Sequence, residues 1–178
     1  DRRRAGPRRR SYHIANSNLV ITETDPPLVG NFRNPRIILA NRGQLTDISN
    51  LAPIEKIKEL QLNQNEISDL KPLTKMGQLR HLRLDGNEIE EIQTLGKLRS
   101  LVTLNLYGNN INNFSPLTGL TSLEWLNLGR NKIKRYLLSL NLPSLRYLNL
   151  DGNRLTSASG VHNLNSLIEL SIANNFLR

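Results

Sequence analysis

Cysteine is missing altogether from these 178 residues. No disulfide can staple the fold, and no thiolate can join a histidine in holding a metal. Histidine is almost as scarce: His13, His81 and His162 lie at spacings that bring no two together, so metal ligation is not expected, nor is any cofactor. Hydrophobic residues make up 38% of the chain, yet no apolar run nears the roughly 18 residues that cross a bilayer, which excludes a membrane-spanning helix. The first ten residues, DRRRAGPRRR, hold no apolar stretch and show no signal peptide. Aromatic residues number eight, few enough that where they fall is informative.

What the chain does have is a period. Asn65, Asn87, Asn109, Asn131, Asn153 and Asn175 recur every 22 residues. Ile57, Leu79, Leu101, Leu123, Leu145 and Leu167 keep step with them, and so do Leu60, Leu82, Leu104, Leu126, Leu148 and Leu170. Self-similarity at one fixed interval marks a stacked array in which no unit buries its apolar face alone. Within a unit, Leu104 and Leu106 alternate with the period of two that belongs to a short strand. The second half is apolar at every third position, as in Ile67, Leu70, Leu73 and Met76, which predicts a 3-10 turn or an extended return. Burying one Leu or Ile contributes roughly 1.5 to 3 kcal/mol before entropy is subtracted, so the units hold only where neighbours cover them. Phe114 and Tyr136 share the column of Leu70 and Ile92 and are assigned to the core, as is Met76.

The asparagines stand where the strand must turn. An amide there can both donate to and accept from backbone groups that the turn strips of partners, so the column is expected to be a structural ladder. Gly86, Gly108, Gly129 and Gly152 fall at or one residue from a common turn column and serve geometry; they form no phosphate loop. The carboxylates Glu59, Asp85, Glu88, Glu90, Glu91, Glu124, Asp151 and Glu169 scatter over outward faces with no pocket to tune an acid and a base. No enzyme activity is expected and no catalytic residue is assigned.

Each copy reads L-x-x-L-x-L-x-x-N-x-I, as in Leu101 to Ile111, and Pro-Leu-Thr recurs at Pro72 and Pro116. On these residues the chain resembles the leucine-rich repeat family, in its short 22-residue class, similar to a regulatory subunit of type-one protein phosphatase and to bacterial internalins. The resemblance implies an α/β repeat solenoid, a horseshoe with a parallel concave sheet and short 3-10 or extended convex segments, that binds another protein on its inner surface. Secreted members often seal their ends with disulfides, so the lack of cysteine points to the cytoplasm or nucleus, while a bacterial surface location stays open.

The expected organisation is a basic, disordered tail over 1–17, a capping segment over 18–34 and the array over 35–178. Within the array, 35–56 is a degenerate first repeat, 57–166 are regular and 167–178 a truncated last one. Beyond Arg178 a further stretch of chain or a partner is expected to cover the open edge. Of the net charge of +9, residues 1–10 carry +5. Arg2, Arg3, Arg4, Arg8, Arg9 and Arg10, with Arg130, Lys132, Lys134 and Arg135, form candidate anion-binding patches for nucleic acid or another acidic surface.

Strand positions between the core leucines face the inner surface in two columns. One carries His81, Thr103, Trp125 and Tyr147, the next Arg83, Asn105, Asn127 and Asn149. With Tyr107 near its strand's end, three of the eight aromatics meet there. Trp, Tyr and Arg dominate binding hot spots. These eight residues, Trp125, Tyr147, Tyr107, Arg83, His81, Asn105, Asn127 and Asn149, form the candidate protein-binding site. The function expected is a non-enzymatic scaffold or adaptor, a structural subunit of a larger assembly. The alternatives are a component of a ribonucleoprotein or other polyanionic assembly gripped by the arginines, and an internalin-like surface adhesin.

Overall fold

A computed structural model describes residues 11–13, 37–134 and 140–178. Among the described residues, eight strands of three residues each lie side by side in chain order, all parallel. They are β1 (Ser11–His13), β2 (Ile37–Leu39), β3 (Glu59–Gln61), β4 (His81–Arg83), β5 (Thr103–Asn105), β6 (Trp125–Asn127), β7 (Tyr147–Asn149) and β8 (Glu169–Ser171). A strand this short has no stability alone. From β2 onward each residue pairs with the one 22 positions later, as Leu104 with Leu126, so the sequence period and the sheet register are one thing.

The returns are 3-10 turns, η1 (Ser49–Leu51), η2 (Lys71–Lys75), η3 (Gln93–Lys97), η4 (Ser115–Leu117) and η5 (Val161–Asn163), and no α-helix occurs among the described residues. Three residues per turn put Leu70, Leu73 and Met76 on one inward side, and all three are buried. A recurring side chain starts most of these turns. Asp47, Asp69 and Asn113 each accept, two residues on, the backbone N–H of Ser49, Lys71 and Ser115, the first residues of η1, η2 and η4, at 2.8 to 3.0 Å. Hydrogen bonds from the Ser49 N–H and then its hydroxyl hold the Asp47 carboxyl below its usual pKa.

One continuous apolar core runs the length of the stack, from Ile38 to Leu164, with Phe114 its largest fully buried side chain. The asparagine column closes each coil onto the one before it. Asn109 Nδ2 donates to Leu106 O and to Leu84 O of the preceding coil, both at 3.0 Å, while its Oδ1 accepts from Ile89 N–H at 3.0 Å. Asn65, Asn87, Asn131, Asn153 and Asn175 repeat the pattern. The residue before each asparagine lies in the left-handed region, and so does Arg42 before Gly43 in the matching position: Arg42, Gln64, Gly86, Gly108, Arg130, Gly152 and Asn174 all have φ between 50° and 68°.

The fold departs from the sequence reading at its start. Residues 11–13, assigned to a basic tail, pair as β1 against β2. Ser11 faces Ile37 at a separation of 26 positions, which breaks the 22-residue period that marks every other strand. The capping segment expected over 18–34, the arginines of 2–10, and Arg135 and Tyr136 lie outside the described residues.

Candidate functional site on the concave sheet

The strands that carry the candidate site are held in register by the core leucines beneath them, so alternate residues project into the hollow of the sheet about 4.8 Å from their neighbours. Trp125 and Tyr147 occupy matching positions on β6 and β7. Their rings stack with centroids 5.0 Å apart and planes 5° from parallel, and both side chains are half-buried. Such a pair contributes about 0.5 to 1.5 kcal/mol beyond area burial.

Tyr107 lies just past β5 and takes a different partner from the one expected. The Arg130 guanidinium sits over its ring, 5.7 Å from the centroid, a cation–π contact. Glycine is shifted in this repeat to make room. Where three repeats place Gly86, Gly108 and Gly152 in the left-handed position, here Arg130 occupies it with φ 50° and the glycine stands one residue earlier. A Cβ on Gly129 would come within 2.9 Å of Tyr107 Cδ2 and about 3.1 to 3.2 Å of Asn149 and Asn127 Oδ1. Gly129 is therefore the floor on which Tyr107 rests. Arg130, placed by the sequence reading in an anion-binding patch with Lys132 and Lys134, belongs to the rim of the aromatic cluster; Lys132 and Lys134 are exposed.

Arg83 does not reach the rings. Its Nε lies 3.4 Å from Asp85 Oδ1, and Asn105 Nδ2 donates to that oxygen at 2.9 Å. The inner asparagines spend their carbonyls internally: Asn105, Asn127 and Asn149 Oδ1 accept from the N–H groups of Tyr107, Gly129 and Asp151 at 2.8 to 3.2 Å. The amide N–H groups of Asn127 and Asn149 have no hydrogen-bond acceptor among the described residues. His81 Nδ1 is 3.0 Å from Thr103 Oγ1. The structure thus brings Trp125 to Tyr147 and Tyr107 to Arg130, and gathers Arg83, Asn105 and Asp85 into a separate polar group. Among the described residues no three His, Asp or Glu side chains converge in a way that could hold a metal. No helix among them is long and apolar enough to cross a membrane.

Two profiles settle what the coils are: "Leucine Rich repeats (2 copies)" matches residues 77–120, and "Leucine rich repeat" matches 115–155. The coils are leucine-rich repeats. Solved leucine-rich repeat structures superpose on most of the chain. An internalin, inlF, from Listeria monocytogenes is 32% identical over 79% of this chain and 42% of its own, with a TM-score of 0.77. Internalin C2 from the same organism is 27% identical over 81% of this chain and 64% of its own, with a TM-score of 0.71. A leucine-rich repeat protein from Leptospira interrogans, 24% identical over 83% of this chain and 51% of its own, shares the fold with a TM-score of 0.63. The chain therefore spans less than two thirds of the length of each. Against curated proteins the sequence gives no significant match.

Proposed function

We propose that this leucine-rich repeat array is a non-enzymatic binding scaffold that grips a partner protein on its concave sheet, centred on Trp125 and Tyr147. Leucine-rich repeats generally serve as protein-interaction frameworks. The observation that carries the reading here is the stacked ring pair, half-buried on an inner surface that is otherwise polar from β3 to β8, with the Tyr107 and Arg130 pair beside it. Rigid aromatics with polar tips supply contact area at little entropic cost, and they are the side chains on which interfaces most depend.

The test is affinity capture with the parent chain and with Trp125→Ala, Tyr147→Ala, followed by affinity measurement on the protein retained. A loss of about 2 kcal/mol, roughly 30-fold in Kd, is expected for the pair. Binding that survives the double substitution overturns the site. Because the contact is aromatic, affinity should change little between low and high salt.

The likeness to two Listeria internalins favours a second reading, an internalin-like surface adhesin using the same concave cluster. The full-length sequence separates the two: the adhesin needs an export signal ahead of Asp1.

A further inference from the structure

The edge where each coil leaves its convex turn and enters the next strand takes no part in the concave cluster. Two columns of side chains run along it across consecutive repeats. Lys58, Arg80 and Val102 form one, and Gln78, Ser100 and Ser122 the other; together they line an open groove of about 360 Å³. The backbone fixes the spacing. Arg80 N–H donates to Lys58 O at 2.9 Å and Val102 N–H to Arg80 O at 2.8 Å, so Lys58 and Arg80 are successive rungs, about 4.8 Å apart along the stack.

Neither cation is neutralised. Ion pairs among the described residues join Lys75 to Glu55 and Arg83 to Asp85, and the side chains of Lys58, Arg80, Gln78 and Ser122 have no protein partner among them. Ser100 Oγ donates to Gly77 O at 2.7 Å, which leaves its lone pairs toward other donors. No carboxylate lines the groove; Glu124, the next residue in the Lys58 column, lies beyond Val102. Lys97 and Arg99, both exposed, extend the positive field along the same edge.

We propose that this groove binds a tetrahedral oxyanion, the phosphate or sulfate group of a ligand distinct from the concave partner. The planar fork of Arg80 can meet two oxygens of such a group side by side, and Lys58 supplies a compact charge from the adjoining rung. The Gln78 amide and Ser122 hydroxyl are the neutral donors for a remaining oxygen. No aromatic ring lines the groove, so a nucleobase finds nothing to stack on.

The whole 178-residue chain is titrated with sodium sulfate and sodium phosphate at constant ionic strength and followed by amide NMR. Saturable shifts confined to residues 58, 78–80, 100–102 and 122 are expected, with affinity at least 10-fold weaker in Lys58→Gln, Arg80→Gln. The melting temperature and the fluorescence of Trp125, the chain's one tryptophan, report that the variant remains folded. Parallel titrations with O-phosphoserine and a sulfated disaccharide identify the source: tighter binding than the free ion names it, and equal binding assigns the site to the free ion. Shifts that fail to saturate, that follow chloride equally, or that persist undiminished in the double variant overturn the proposal.

Discussion

Asn109 makes the case for what one side chain contributes to this molecule. Replacing it with alanine leaves Ile89 N–H without its acceptor inside the stack, and takes one of two asparagine donors from Leu84 O, which keeps Asn87, and from Leu106 O, which keeps Asn131. Each unpaired buried group costs about 1 to 3 kcal/mol. Asn109→Ala and Asn131→Ala are expected to lose at least about 2 kcal/mol in urea denaturation, well above a typical surface substitution. Equal midpoints for variant and parent would remove the ladder from the account. This column was legible in the sequence because the same backbone demand recurs in every coil. Gly129 was not. Its place one residue early read as a loose copy of the turn glycine, whereas the reason for it is the Tyr107 ring above, a contact between coils that no single repeat displays.

At the scale of elements, the strands and 3-10 turns follow from periods of two and three that the sequence states openly. What stays hidden is how closely the convex turns approach one another. A Cβ on Gly96, in η3, would lie 2.3 Å from Pro116 O, in η4, a backbone atom that cannot swing aside. Gly77, on the same outer rim, has nothing within 4 Å. The pair makes a matched experiment: Gly96→Ala is expected to cost about 1 to 3 kcal/mol by overpacking, and Gly77→Ala to stay within about 0.5 kcal/mol, both read from thermal melts. β1 escaped detection because its offset from β2 departs from the repeat and because it follows a run of arginines that reads as a tail.

For the whole molecule, every coil leans only on its neighbours, so protection should follow position in the stack. Amides of β4 to β6, covered on both sides, are expected to exchange most slowly. Those of β8 should exchange fastest within the array, since Ile168 and Phe176 nearby are 72% and 66% exposed. Hydrogen exchange by mass spectrometry reads this directly; uniform protection from β3 to β8 would mean that the array unfolds as a single unit. The basic groove is legible only at this scale. Its residues come from three coils and two columns, and the sequence scatters them from 58 to 122 among unrelated neighbours. The aromatic site lay closer to the surface of the sequence, because Trp125 and Tyr147 stand one period apart.

The asparagine bonds also make the chain modular in whole steps. Asn109 reaches back to Leu84 and Leu106, and Asn87 to Leu62 and Leu84. Excise residues 87–108 and Asn109 arrives where Asn87 had been, facing Leu62 O, Leu84 O and the Ile67 N–H it needs. The cassette leaves without a seam, and His81 becomes the lateral neighbour of Trp125. Lineages carrying such a chain can lengthen, shorten or reshuffle the recognising surface by duplication and loss while the interior goes on satisfying the same bonds.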